Sequence, residues 1–321
     1  MTTDDALRPP PAEATSCDVL VIGGGPAGAT VAPLLAQKGY RVVLLEKEHH
    51  PRFHIGESLL PANLPLFERL GVADEVRAIG MQKWGAEFAS PWHAHQQVFE
   101  FADAWDKSMP YAYQVRRSEF DHILIRNAAQ KGAEVREGCK VTQVDFLPGD
   151  TGAIVRARET ANDGATFERE WHARFVIDAS GRDTFLANRF KLKHANPKHN
   201  SAAVYAHFTG ARRNEGQAAG NITISWFDHG WFWFIPLADG VTSVGMVAWP
   251  YFMKTRKGRS LEQFLDDGIA LCAPLAERLR GAQRVNAAEA AANFSYVSER
   301  THGRNYLLGG DAYALIGPMF S

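Results

Sequence analysis

An apolar strand that stops at a run of glycines and restarts as a helix is the feature that most narrows what this chain can fold into. Cys17–Ile22 is a short apolar run, Gly23-Gly24-Gly25-Pro26-Ala27-Gly28 follows, and an Ala/Leu-rich segment runs from Ala29 to Lys38 before Gly39 stops it. Arg41–Glu46 is a second apolar strand. Strand, glycine turn, helix and strand make one βαβ unit. Gly23, Gly25 and Gly28 carry GxGxxG spacing. The first glycine permits the tight turn, the second lets a diphosphate approach the backbone, and the third lets the helix pack close to the strand. The helix N-terminus adds unpaired N–H groups and the positive end of the helix dipole. Glu46 closes the second strand, where a carboxylate accepts from a ribose hydroxyl, and an acid there disfavours a 2′-phosphate. The pattern predicts a dinucleotide, FAD or NAD rather than NADP. Pro33 conflicts with the helix and predicts a kink.

Further along, Leu66–Ile79 and Glu119–Lys131 have helical spacing. Glu134–Phe146, Ala153–Ala157, Glu168–Phe175 and Phe175–Asp178 read as strands, the last closing at Ala179-Ser180-Gly181. From Ala202 to Trp249, aromatic and β-branched runs alternate with the turn signals Asp228-His229-Gly230 and Asp239-Gly240. They predict an antiparallel meander of 202–209, 221–227, 231–237 and 241–249, with 210–220 as a mobile loop. Ser260-Leu261-Glu262-Gln263 is a capping box that opens a helix. Tyr306–Leu308 is a last buried strand before Gly309-Gly310-Asp311.

Composition excludes several function classes. The net charge of -1 over 321 residues gives no electrostatic footprint for nucleic acid or an anionic membrane. No apolar run reaches the ~20 residues that span a bilayer. Cys17, Cys139 and Cys272 lie far apart, form no metal spacing and suit a reducing cytoplasm. His93 and His95 have no third ligand, so no metal site is expected. Residues 1–16 lack a basic start and an apolar stretch, and read as a disordered tail. No GxSxG elbow is present for serine hydrolysis.

Several longer motifs carry a resemblance. Pro51-Arg52-Phe53-His54-Ile55-Gly56-Glu57-Ser58-Leu59-Leu60-Pro61, Val115-Arg116-Arg117-Ser118-Glu119-Phe120-Asp121, Asp178-Ala179-Ser180-Gly181, Gly310-Asp311 and Trp231-Phe232-Trp233-Phe234-Ile235-Pro236 span nearly the whole chain. Together with Gly23–Gly28 and Glu46 they resemble the FAD-dependent halogenases of the phenol and pyrrole type, within the FAD-dependent monooxygenase superfamily. The resemblance chooses FAD over NAD. It implies an α/β fold: a Rossmann-like FAD-binding domain (17–84, 115–190 and 299–321) interlocked with an antiparallel-sheet substrate domain (85–114 and 191–298). It assigns cofactor binding to Gly23, Gly25, Pro26, Ala27, Gly28, Glu46, Lys47, Arg52, Ile55, Gly56, Ser58, Arg117, Asp178, Gly181, Gly310 and Asp311.

The same resemblance places a catalytic lysine at Lys83 and a WxWxIP barrier at Trp231 and Trp233. In such enzymes reduced FAD and oxygen convert halide to hypohalous acid, and the lysine directs it to an electron-rich ring. A lysine in an aromatic, poorly solvated pocket has a lowered pKa, which suits it to capture or polarise that oxidant. The plainer readings stand beside these. Trp231 and Trp233 also suit the core of a strand covered on both sides, Lys83 a surface position, and Arg52 and His54 a loop cap.

The resemblance also counts Pro318 and Ser321 among the catalytic residues, in the segment that leads, in these enzymes, to a Ser/Thr-x-Gly turn at the halide and a helical C-terminal region. The chain is therefore expected to be shorter than the family and poorly active alone. The implied partners are halide, a small aromatic substrate (free or carrier-tethered) of secondary metabolism, and a separate flavin reductase. Two other functions fit: an aromatic monooxygenase or reductase using NAD(P)H, and an inactive flavin-binding relative.

Overall fold

The computed structural model describes residues 15–161, 163–196, 201–292 and 295–315. They form two compact units. The first holds 1–52, 124–193 and 298–313; the second holds 53–123, 194–297 and 314–321. Residues 53–84 and 115–123 therefore group with the antiparallel sheet and not, as the sequence suggests, with the glycine turn. These segments hydrogen-bond within the second unit: Val115 N donates to Glu57 O at 2.8 Å, and Trp84 N donates to Asn221 Oδ1 at 3.0 Å.

The first unit is built on a twisted sheet with the strand order 302–303, 306–308, 166–178, 15–22, 42–45 and 134–136. Every pairing from 306–308 across to 134–136 is parallel, and 302–303 joins 306–308 antiparallel. The antiparallel hairpin 139–146/153–160 extends the long 166–178 strand. That strand is continuous, so the two runs read separately from sequence are one element. Val42, Val43, Leu44 and Leu45 are all buried, as a strand flanked on both faces requires. Register then fixes the site. Ile22 pairs with Leu45 and with Asp178, and Asp178 pairs with Leu308. The glycine turn, Glu46, the loop after Asp178 and Gly309-Gly310 therefore leave the sheet at one level, beyond its carboxyl edge, where α/β sheets hold ligands. The Pro26–Ala36 helix continues through Pro33, without a break at the proline.

The second unit centres on a sheet ordered 283–284, 202–209, 242–248, 230–236, 222–227, 85–89 and 97–100, with 289–292 also pairing 202–209. It is not the simple meander expected from sequence. The strand 202–209 pairs with 242–248 and not with 222–227, while 222–227 pairs in parallel with 85–89. One face carries Phe232, Phe234, Met246 and Val204 against Phe264, Leu265 and Leu275 of the helices Leu261–Ala270 and Ala273–Arg278. The other carries Trp231, Trp233, Ile235 and Tyr205. Period-2 alternation thus splits the aromatic run between two cores.

The expected helix 66–79 is two, Leu64–Leu70 and Ala73–Ile79, divided by the left-handed Gly71. Segment 210–220 contains a 3-10 turn at Gly216–Gly220. Ser260 Oγ accepts from Gln263 N, as the capping box predicts. Among the described residues no helix is long and apolar enough to cross a membrane, and no group of three or more His, Cys, Asp or Glu could hold a metal ion.

Candidate active site

The cradle in the first unit is made almost wholly of backbone. Gly23 sits at φ +101, and a Cβ there would collide with the carbonyl oxygen of Ala179. A Cβ on Gly28 would overlap the carbonyl of Gly23. Both positions exclude any side chain, which is what a helix pressed onto a strand end requires. Gly25 differs. It is the N-cap of the 26–36 helix, with no side-chain cap, and the nearest atom to a Cβ there is Arg52 Nη2 at 3.9 Å. Space, open amides and a guanidinium meet at one point. Pro26 takes the first helical position, where its missing N–H costs nothing. Gly310 lies at φ +58, and its Cβ would come 2.9 Å from Ala27 Cβ, so the last strand's loop abuts the helix start.

Glu46 is buried, and its carboxylate accepts from Gly24 N at 2.6 Å and Glu48 N at 2.9 Å. These bonds fix it beneath the glycine turn and leave each oxygen a further lone pair. Lys47 pairs with Asp183 at 2.5 Å, both exposed, and Arg52 pairs with Glu48 at 3.0 Å. Asp178 turns inward. It is fully buried and accepts from Ser180 N at 2.9 Å and Leu186 N at 2.7 Å, so it organises the loop that holds Gly181. Burial raises its pKa, and those hydrogen bonds oppose the rise. Asp311 is partly exposed in the 3-10 turn Gly310–Ala312.

The remaining described residues that the sequence singles out lie in the second unit, a compact body by itself. Arg117 grips Asp121 with two bonds, 2.7 and 3.0 Å, and donates to the carbonyls of Ile55 at 2.8 Å and Gly56 at 3.4 Å. It is a strut for the Ile55–Gly56 loop. Gly56 sits at φ +106, a conformation that strains any other residue, and a Cβ there would also press on Arg117 Nη1 at 2.8 Å. Lys83, on the strand Met81–Lys83, is 1% exposed. Its Nζ donates to Ser58 Oγ at 2.6 Å and stands 5.5 Å from the Phe101 ring centroid. Desolvation lowers its pKa from the usual 10.5 to about 7. Ser58, expected among the cofactor residues, thus has the lysine as its side-chain partner.

Trp231 and Trp233 are buried with ring centroids 6.3 Å apart. Trp233 Nε1 donates to Ser243 Oγ at 3.1 Å, and its ring fills the space over Gly245, its partner in register. Both are core residues of a covered strand. Pro318 and Ser321 lie outside the described residues.

Sequence reading missed Glu57. It is 1% exposed and bonds His207 Nε2 at 2.9 Å across the unit. Between a glycine and a serine it reads as a loop acid; only the alternating His207, on an otherwise apolar strand, signals a buried partner.

A largely parallel sheet whose strand ends carry a glycine turn, a buried acid and an uncapped helix start defines a dinucleotide-binding α/β protein. The FAD binding domain family matches residues 16–320. Relatives include the tryptophan 2-halogenase of Chondromyces crocatus, 33% identical over 96% of this chain and 58% of that protein, and the flavin-dependent halogenase armH3 of Armillaria mellea, 34% identical over 95% and 64%. Among solved structures, the myxobacterial chondrochloren halogenase CndH superposes with TM-score 0.87 at 35% identity, over 95% of this chain and 70% of that one. A flavoprotein/dehydrogenase from Cytophaga hutchinsonii gives 0.85 at 31% identity, over 95% and 73%. The chain belongs to the FAD-binding domain family and, within it, to the FAD-dependent halogenases. It spans about three fifths of the length of the first curated relatives it matches.

The residues present fit FAD. The open cap at Gly25 offers amides to a diphosphate, Arg52 adds a cation there, and Glu46 retains acceptor capacity for a ribose.

Proposed function

We propose that this chain is the FAD-holding body of a halogenase that acts on an electron-rich aromatic ring. The observation that carries the reading is Lys83: an amine held at Ser58 Oγ and out of water, with its pKa lowered by desolvation to about 7. When bound, FAD supplies reducing equivalents and oxygen activation, which turn halide into hypohalous acid. The chain's own residues do the rest. Gly25, the helix start and Arg52 bind the diphosphate, and Glu46 takes the ribose. Arg117 sets the Ile55–Gly56 loop. Apolar cover from Phe101 keeps Lys83 poorly hydrated, so its neutral form presents a lone pair to electrophilic halogen and its charged form a donor. Trp231 and Trp233 stiffen the sheet that carries this unit.

The names of relatives support the substrate class. One is a tryptophan 2-halogenase, and another, 29% identical, is a 1H-pyrrole-2-carbonyl-[peptidyl-carrier protein] chlorinase of Pseudomonas fluorescens. We infer a free or carrier-tethered aromatic substrate, halide, and a separate reductase that delivers reduced flavin. Three buried free thiols suit a reducing cytoplasm. The test is to supply purified protein with reduced FAD, oxygen, bromide and an electron-rich phenol or pyrrole. A brominated product that is lost in Lys83→Ala, while flavin oxidation continues, is expected. Bromination that survives this substitution removes Lys83 from the reaction.

The Cytophaga flavoprotein/dehydrogenase favours one second reading, an NAD(P)H-dependent reductase or monooxygenase of the same fold. Substrate-stimulated NAD(P)H oxidation indifferent to halide would select it.

A further inference from the structure

Lys83 and Ser58 are held together by a small sheet of their own. The strand Ala112–Gln114 pairs on one side with Met81–Lys83, Lys83 standing opposite Ala112. On its other side it takes residues 57–59: Leu59 N donates to Tyr113 O at 3.0 Å, Val115 N donates to Glu57 O at 2.8 Å, and Ser58 bridges Gln114. Strands two apart are separated by about 9.5 Å. A lysine laid across the middle strand spans that gap and ends within hydrogen-bond reach of the serine. Ala112, fully buried and small, leaves the room. From the opposite face the neighbouring Glu57 is locked to His207, whose own N–H donates to Asn286 Oδ1 at 2.8 Å.

Among the described residues, Ser58 Oγ is the hydrogen-bond partner recorded for the amine. Phe101 covers it, and desolvation lowers its pKa. A buried amine with one hydroxyl partner depends on that partner for both its direction and its charge state.

We propose that Ser58 is the positioning residue of Lys83, fixing the direction of its amine and stabilising its charged form. The inference rests on the reading of Lys83 as the halogen carrier. With one N–H given to Ser58, the neutral nitrogen keeps its lone pair for hypohalous acid. The N–Cl bond forms as Cl–O breaks, and the departing hydroxide takes a proton from nitrogen, leaving the N-chloramine and water.

The test uses two readouts that need no flavin turnover. The first is the titration midpoint of Lys83, followed by NMR of protein labelled with 13C at lysine Cε and assigned with Lys83→Met. Ser58→Ala removes the acceptor from the ammonium, so the acid dissociation constant is expected to rise about tenfold and the midpoint to fall. The second is N-chlorination of Lys83 by added hypochlorous acid at pH 9, where the amine is neutral in both proteins, read by peptide mass. There Ser58→Ala is expected to slow the reaction about tenfold, and Ser58→Thr, which keeps the hydroxyl, to restore both values. Ser58→Ala matching wild type in midpoint and rate would overturn the proposal, as would Thr failing to rescue either. If wild-type Lys83 titrates with a Ser58-dependent midpoint but is never chlorinated, the positioning role stands and the halogen-carrier reading falls.

Discussion

The two units solve opposite physical problems. The glycine cradle works by removing side chains, so that backbone amides lie bare at a sheet edge. The Lys83 cluster works by burying side chains, so that a normally hydrated ammonium loses its water. The first is governed by sterics, with no tolerance in position. The second is governed by desolvation, tolerant of shape but sensitive to pH. Substitutions in the two units should therefore fail in different ways.

Gly28→Val should have the largest effect. Its Cβ would overlap Gly23 O, and main chain cannot yield as a side-chain tip can. A loss of at least about 3 kcal/mol in stability is expected, with loss of FAD uptake at every pH. Retention of FAD by absorbance after gel filtration, together with thermal unfolding, checks it. Unaltered uptake would break the contrast outright.

Lys83→Met should do the reverse and stabilise the protein in a pH-dependent manner. The lysine's pKa falls from 10.5 to about 7 on folding, so the unfolded chain binds more protons between those values. Below pH 7 the burial penalty is fully present; it fades as pH rises to 10.5. At pH 6 the methionine variant should be more stable by about 3–5 kcal/mol, converging on wild type above pH 10.5 in urea titrations. A gain that does not change with pH would mean that packing, not charge, governs this unit.

Glu57→Ala strands His207 Nε2 in the interior, and a cost of about 1–3 kcal/mol is expected. A double-mutant cycle with His207→Ala isolates the pair; additive effects would show that the two do not act together. Lys47→Ala, at the rim of the cradle, should change stability by less than about 1 kcal/mol, because its bridge to Asp183 is solvent-screened. A larger loss would show that side chains, and not only backbone, hold the cradle.

How legible each unit was follows from the same contrast. Gly23, Gly25, Gly28 and Glu46 could be read because their geometry is dictated by neighbours close along the chain. The strands 222–227 and 230–236 could be read from alternation, but their order in the sheet could not. Nothing local tells 202–209 to pair with 242–248, or 222–227 to run parallel to 85–89. Arg117 was recognised by its motif, yet its task, holding Ile55 and Gly56, required the fold.

The sequence by itself determined the glycine turn, the βαβ unit and the dinucleotide class it suits, since steric exclusion around a Cα is a local property. Tertiary structure alone decided that Lys83 is dry, that Ser58 is its partner, and that Glu57 meets His207 from 150 residues away. Desolvation depends on how many distant strands close over a group, and no window of sequence records that.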